Sequence, residues 1–279
     1  KTYSNENQLL VNPIIEKGLP EWLANNAGWI AATILTNGEL SKINYNYLDE
    51  EIYPCNEKII QNPNYDCWDF EINSQGLRNS EVTTKKSENI FRIVALGGST
   101  TFTGETNEKT WPGHLQRIIN EKINDMNVEV INAGKSGATT NNELEFIKNN
   151  LEFLDPDLII MYDGWNDSGS VDIKKTVQNW KEVCQISKDN NISTTIIIQP
   201  LPISGQRILT GQEVSNVLNP ASSSPTEYQK ISQQYVNSFI ELNDICTQTL
   251  DFRSIFDYID APIYYDGGHI MNHGNIILS

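Results

Sequence analysis

A chain of 279 residues, 38% hydrophobic and 20% charged, is long and apolar enough to bury one large core, alone or with an extension. Lys and Arg number 20 against 36 Asp and Glu, and the formal net charge of -16 argues against nucleic acid or an anionic membrane as partner, because both are held by clustered cations. The longest apolar run, Trp29 to Leu35, falls far short of the roughly 20 residues that span a bilayer.

The first 88 residues read differently from the rest. Residues 20–36 suit a helix, with Pro20 in its first turn and Asn37-Gly38 ending it. From Glu39 to Ser87 the sequence is irregular and rich in Asn, Tyr and Pro, and it reads as an extension wrapped on a main domain at 89–279. Cys55 and Cys67 fall inside it. A disulfide closing that short loop is expected, and with it an extracytoplasmic location; the pairings that involve Cys184 and Cys246 stay open. The spacings do not match a metal site. Asn73-Ser-Gln-Gly-Leu-Arg78 is a turn with glycine at its bend, followed by a basic residue. The chain opens on Lys1, so a removed signal peptide or anchor stays open as well.

From residue 91 strands and helices alternate. Ile93 to Leu96 is a short apolar run of the kind buried on both faces of a parallel sheet, and it stops at Gly97-Gly98 before Ser99. A helix is predicted over about 108–123, a strand over 128–131, a helix over 141–150 and a strand over 158–162. A longer helix over about 173–188, a β-branched strand over 194–198, a helix over about 227–242 and a strand near 247–252 follow. The Ser-, Pro- and Gly-rich stretch from Ser204 to Thr226 is too long for a routine connection. Asn272 to Ser279 reads as the first turn of a last helix, so the natural chain is expected to run further. This series predicts an α/β fold with a mostly parallel sheet and helices on both faces.

Ser99 then lies beyond the carboxyl end of the first strand, in the crevice where such folds place their chemistry. It is either a nucleophile or a cap for the following helix. The lack of a Lys-Ser or Lys-Thr after the glycines argues against a phosphate-binding P-loop. The next two strands also end in glycine-bearing polar loops, at Asn132 to Gly137 and at Asp163 to Asp167, and Tyr264-Tyr-Asp-Gly-Gly-His-Ile270 comes near the end of the chain. An Asp and a His three residues apart can place the carboxylate on one imidazole nitrogen and leave the other facing a serine hydroxyl. His269 has such a partner in Asp266, whereas His273, its rival, has none, and His114 falls in a helix where a surface or core role is expected. Asp163 and Asp167 read as turn-forming residues.

Four blocks, GGST at 97–100, NAGKSG at 132–137, GWND at 164–167 and DGGH at 266–269, resemble those of the SGNH (GDSL-type) hydrolases in order and interval. The resemblance covers about 89–279, and the 73–78 turn also occurs upstream of the nucleophile in one branch of that family. It implies a flavodoxin-like three-layer α/β/α sandwich and a serine esterase that works without metal or organic cofactor. It further implies Ser99 as nucleophile, His269 as base, Asp266 as its orienter, and an oxyanion hole made of the Ser99 and Gly137 amides and the Asn166 side chain. The usual Asp before the serine is Gly98 here, which removes no catalytic group. The family spans carbohydrate O-acetyl esterases, lipases, thioesterases and acyltransferases. A small O-acyl group such as acetyl on a glycan is the expected substrate; transfer to a sugar hydroxyl and a non-catalytic glycan-binding role stay open. Phe102, Trp165 and Tyr265, together with Trp111 and Tyr264, are candidates to stack on a sugar, the alternative being that they are core aromatics.

Overall fold

A computed structural model describes residues 71–84, 86–122, 127–202, 204–217 and 225–279. The expected helix over 20–36, the irregular stretch up to residue 70 and the Cys55–Cys67 pairing lie outside the described residues.

Five strands, β1 (Ile90–Gly97), β2 (Asn127–Asn132), β3 (Leu158–Asp163), β4 (Ser193–Ile198) and β5 (Gln248–Asp251), form one parallel sheet in the order β2-β1-β3-β4-β5. That order is the flavodoxin-like doubly wound one, and its switch point lies between β1 and β3. The connections carry helices α1 (Ser99–Phe102), α2 (Trp111–Lys122), α3 (Thr140–Leu154), α4 (Trp165–Ser170), α5 (Ile173–Asp189), α6 (Gly211–Val217), α7 (Pro225–Asn237) and α8 (Phe239–Leu242), and α9 (Asn272–Leu278) follows the last loop.

The strands alternate sides with period two, and both sides are covered. Val94, Leu96, Ile131, Ile159, Met161, Ile196 and Ile198 pack with Leu144, Ile147 and Leu154 of α3 and Val177, Trp180 and Val183 of α5. On the opposite face Ile93, Ala95, Val128, Val130, Ile160, Tyr162 and Ile197 pack with Trp111. Leu77 and Val82, just upstream of β1, join the first of these clusters.

The local signals explain where elements stop. Asp155 ends α3 in the left-handed conformation (φ 44), and Pro156 prevents its continuation. Asp172 starts α5 by accepting the Lys174 N–H at 2.9 Å. The predicted helix over 227–242 is two helices, α7 and α8, separated at Ser238. The stretch after β4 is not a bare loop, since α6 folds within it. Cys184 of α5 is bonded to Cys246, which ties the approach to edge strand β5 onto that helix.

Candidate active site

β1 ends at Gly97, whose φ of 151° few side-chain-bearing residues adopt and where a Cβ would lie 2.2 Å from Thr101 Oγ1 and 2.8 Å from the Tyr162 carbonyl. The chain can therefore turn at once into α1, which opens on Ser99. Gly98 occupies the cap position and no side chain caps this helix. The Ser99 hydroxyl is committed elsewhere: it lies 2.7 Å from His269 Nε2. That contact turns the hydroxyl toward an imidazole and away from the helix start it would cap.

His269 stands on a narrow turn. Tyr264 pairs with Ile270 in an antiparallel bridge, Met271 N–H donates to Ile263 O at 2.7 Å, and Tyr265 N–H donates to His269 O. Asp266 Oδ1 accepts the N–H groups of Gly268 and His269 at 2.8 and 2.7 Å, and Oδ2 faces His269 Nδ1 at 2.8 Å. Burial raises the Asp266 carboxyl, but the His269 ring and these amides outweigh it and hold the group below its usual range. A charged Asp266 requires Nδ1 to carry the proton, which leaves Nε2 to accept the Ser99 hydroxyl proton. The base of this turn is fixed by Glu213, fully buried in α6. Its carboxylate pairs with Arg207 through two 2.8 Å bonds and accepts the N–H groups of Ile263 and Tyr264 at 2.8 and 3.0 Å. Sequence reasoning flagged the long Ser204–Thr226 stretch but not this anchor.

The second loop of the site, after β2, passes close under α1: Lys135 N–H donates to Gly97 O at 3.0 Å, and Asn132 Nδ2 donates to Thr101 O at 2.9 Å. Gly137 is exposed in this loop with φ 74°. From α4, which opens right after β3, Asn166 Nδ2 donates to Ala138 O at 2.8 Å and sits over Gly98, where an added Cβ would be 2.2 Å from it. The Asn166 amide, the Gly137–Ala138 loop and the start of α1 therefore converge beside Ser99. Asp167, which its sequence context gives as a turn-former, lies within α4. It is buried, and it ties the two loops together by accepting the Thr140 N–H and Oγ–H and the Thr176 Oγ–H.

Trp165 packs against Gly268 within the Asp266–His269 turn and edge-on against Tyr228, and the Tyr265 ring stacks on that of His269 with centroids 5.5 Å apart. Phe102 lies under the Arg78 guanidinium, which is itself buried and donates to the carbonyls of Phe102 and Gly104. These three aromatics are partly exposed. Trp111 and Tyr264 are core residues: both are buried, Trp111 against Tyr162 and Tyr264 against Phe256. His114 is buried in α2, bonded to Asn272 of α9, and His273 is exposed, so the rival histidines are occupied away from Ser99 or turned to solvent.

The family model described as the GDSL-like lipase/acylhydrolase family matches residues 95–260. The chain belongs to that family and is an ester hydrolase. The match ends before Asp266 and His269, so the structure alone brings that pair to Ser99. Among curated proteins none matches the chain. Among solved structures, an acetyl xylan esterase, AlAXEase, superposes with a TM-score of 0.52 at 18% identity, over 67% of this chain and 96% of its own. A catalytic mutant of an acetylxylan esterase from Geobacillus stearothermophilus superposes with a TM-score of 0.51 at 12% identity, over 70% of this chain and 92% of its own. At these identities the likeness establishes the shared fold.

Proposed function

We propose that the protein is a serine esterase that forms a covalent acyl-enzyme and releases small O-acyl groups, acetyl above all, from carbohydrate. The observation that carries the reading is the unbroken relay from Asp266 through His269 to the Ser99 hydroxyl. Ser99 Oγ attacks the ester carbonyl while His269 Nε2 takes its proton. The tetrahedral oxyanion is held by the amides of Ser99 and Gly137 and the side chain of Asn166, and the imidazolium returns its proton to the departing alcohol. Water, deprotonated by the same imidazole, then releases the acid.

Support for a carbohydrate ester comes from the fold shared with two acetyl xylan esterases and from the partly exposed rings of Trp165, Tyr265 and Phe102 around the nucleophile. The Cys184–Cys246 bond supports an extracytoplasmic location, where disulfides persist. No described helix is long and apolar enough to cross a membrane.

The test is hydrolysis of an aryl acetate and of acetylated xylo- and manno-oligosaccharides by the wild type and by Ser99→Ala, with a fluorophosphonate label mapped by mass spectrometry. Turnover that the substitution abolishes, with the label on Ser99, is expected. A folded wild type with neither turnover nor label would refute the mechanism. Activity confined to long-chain or thioesters would refute the substrate class.

A further inference from the structure

Behind the oxyanion loops lies a group that the mechanism above does not use. Glu143, in the first turn of α3, is 3% exposed, and neither of its carboxyl oxygens has a hydrogen-bond donor from a described side chain or amide. It makes no ion pair with a described cation. What faces it is the carboxyl of Asp163, the last residue of β3, also buried at 4%. Two ionised carboxylates in contact in an apolar interior would be strongly repulsive and unsolvated, whereas a carboxyl and a carboxylate that retain a proton make a short hydrogen bond. Among the described residues no cation pairs with either carboxyl. Asp163 Oδ2 accepts the Trp180 indole N–H at 2.9 Å, and Asn179 donates to Thr140 and Asn141. Asp167 of α4 adds a third carboxylate, and from the described side chains of α7 come the phenols of Tyr228 and Tyr235. No group of described His, Cys, Asp and Glu side chains is placed to hold a metal ion.

We propose that Glu143 and Asp163 share one proton, and that this pair is a positioning device for the oxyanion hole. Its place in the chain gives it that role. α3 begins three residues after Gly137, and Asp163 stands three residues before Asn166. The Asp167–Thr140 bonds fasten the two loops on the far side of Asn166. The Glu143–Asp163 bond fastens them on the near side, so Asn166 is bracketed by two carboxyl contacts to one helix. The first works with an ionised carboxylate and the second only while the proton stays. Burial first, then the facing Asp163 and Asp167, push Glu143 well above the ordinary carboxylate range; burial and Asp167 push Asp163 up as well. The pair therefore holds its proton well past the pH at which an ordinary carboxyl loses it, and releases it as pH rises further. When it leaves, three buried carboxylates repel one another and the loops separate, so kcat falls on the alkaline side through a group that never touches substrate.

This inference rests on the esterase reading for its consequence but not for its chemistry, and two readouts keep them apart. Infrared difference spectra at neutral pH should show the C=O stretch of a buried protonated carboxyl that Glu143→Gln removes. In pH–rate profiles on an aryl acetate, the wild type should lose kcat as that band titrates. Glu143→Gln, whose amide donates to Asp163 at every pH, should not; one pH unit above the wild-type limb it should exceed the wild type about tenfold. Asp163→Asn gives the mirror-image bond and the same loss of the limb, so it carries the test if Glu143→Gln fails to fold. No such band in the wild type, or a band that survives both substitutions, overturns the shared proton. A band that both substitutions remove while the alkaline limb is unchanged overturns the positioning role, because a contact that only stabilises the fold would leave the profile where it was. A wild type that shows the band but no turnover removes the esterase reading, and the positioning role with it, and leaves the shared proton standing.

Discussion

Gly98 offers the sharpest test of the proposed oxyanion hole. Its backbone, φ -81° and ψ -150°, is open to any residue, so Gly98→Ala introduces no backbone strain and acts only through its methyl group. An added Cβ would lie 2.2 Å from Asn166 Nδ2, against 3.4 Å from Asn166 Cγ and 3.5 Å from Ala138 O, so the group that must give way is the Asn166 amide. To regain ordinary contact it must retreat by about 1 Å, and it then leaves the position that its 2.8 Å bond to Ala138 O defines. Removing one oxyanion donor costs roughly 100- to 1000-fold in kcat, about 3 to 4 kcal/mol, and the same loss is expected here with KM little changed, since the bond forms in the transition state. The assay is steady-state hydrolysis of an aryl acetate by the wild type, Gly98→Ala, Asn166→Ala and the double variant, with melting curves alongside. Because both substitutions disable one donor, the double variant should be no slower than Asn166→Ala alone. Wild-type kcat in Gly98→Ala, or losses that multiply in the double variant, would refute the placement of Asn166 over Gly98.

Asp266→Asn keeps an acceptor for the Gly268 and His269 amides but turns an N–H toward Nδ1, which forces the proton onto Nε2; kcat at neutral pH should fall about 10⁴-fold while the protein stays folded by circular dichroism. Glu213→Gln leaves the buried Arg207 charge uncompensated and should cost about 3 to 5 kcal/mol in urea unfolding. Burial raises the Glu213 carboxyl, but Arg207 and the amides of Ile263, Thr210 and Tyr264 outweigh it, so the folded value lies below the ordinary one. The stabilisation is therefore complete above the ordinary carboxylate pKa and lost as pH falls through the depressed one; the gap between wild type and Glu213→Gln should be full at neutral pH and close in acid. The Cys184–Cys246 bond spans a sequence separation of 62, and replacing both cysteines by serine should cost about 4 kcal/mol, read from the denaturation midpoint with unchanged kcat.

Much of this molecule was legible before it was folded. The apolar run at Ile93 to Leu96, the β-branched run at Thr194 to Ile198 and the glycines after each of the first three strands carry local signals, period and turn chemistry, that act over a few residues whatever the rest of the chain does. The Asp266–His269 spacing belongs to the same class, because three residues across a tight turn hold both partners of the contact. Sequence could also rank His269 above His273, since only the former has its carboxylate within the turn.

What the sequence could not show are contacts between segments far apart in the chain. Asp163 and Asp167 look like polar turn residues because their neighbours are Gly164 and Asn166; that both are buried, one against Glu143 and the other against Thr140, depends on where α3 packs. Trp111 and Tyr264 are the same residue types as Trp165 and Tyr265, and only the path of the backbone puts the first two in the core and the second two beside the Asp266–His269 turn. The Cys184–Cys246 bond follows from the docking of the approach to β5 against α5, which no cysteine count could choose among three connectivities. By itself, then, the sequence determined the succession of the strands and the longer helices and the chemical types at their ends, because those are set by local backbone and solvation preferences. The tertiary structure decided which of those groups are desolvated and which meet, because burial and long-range pairing exist only after the sheet has closed its core.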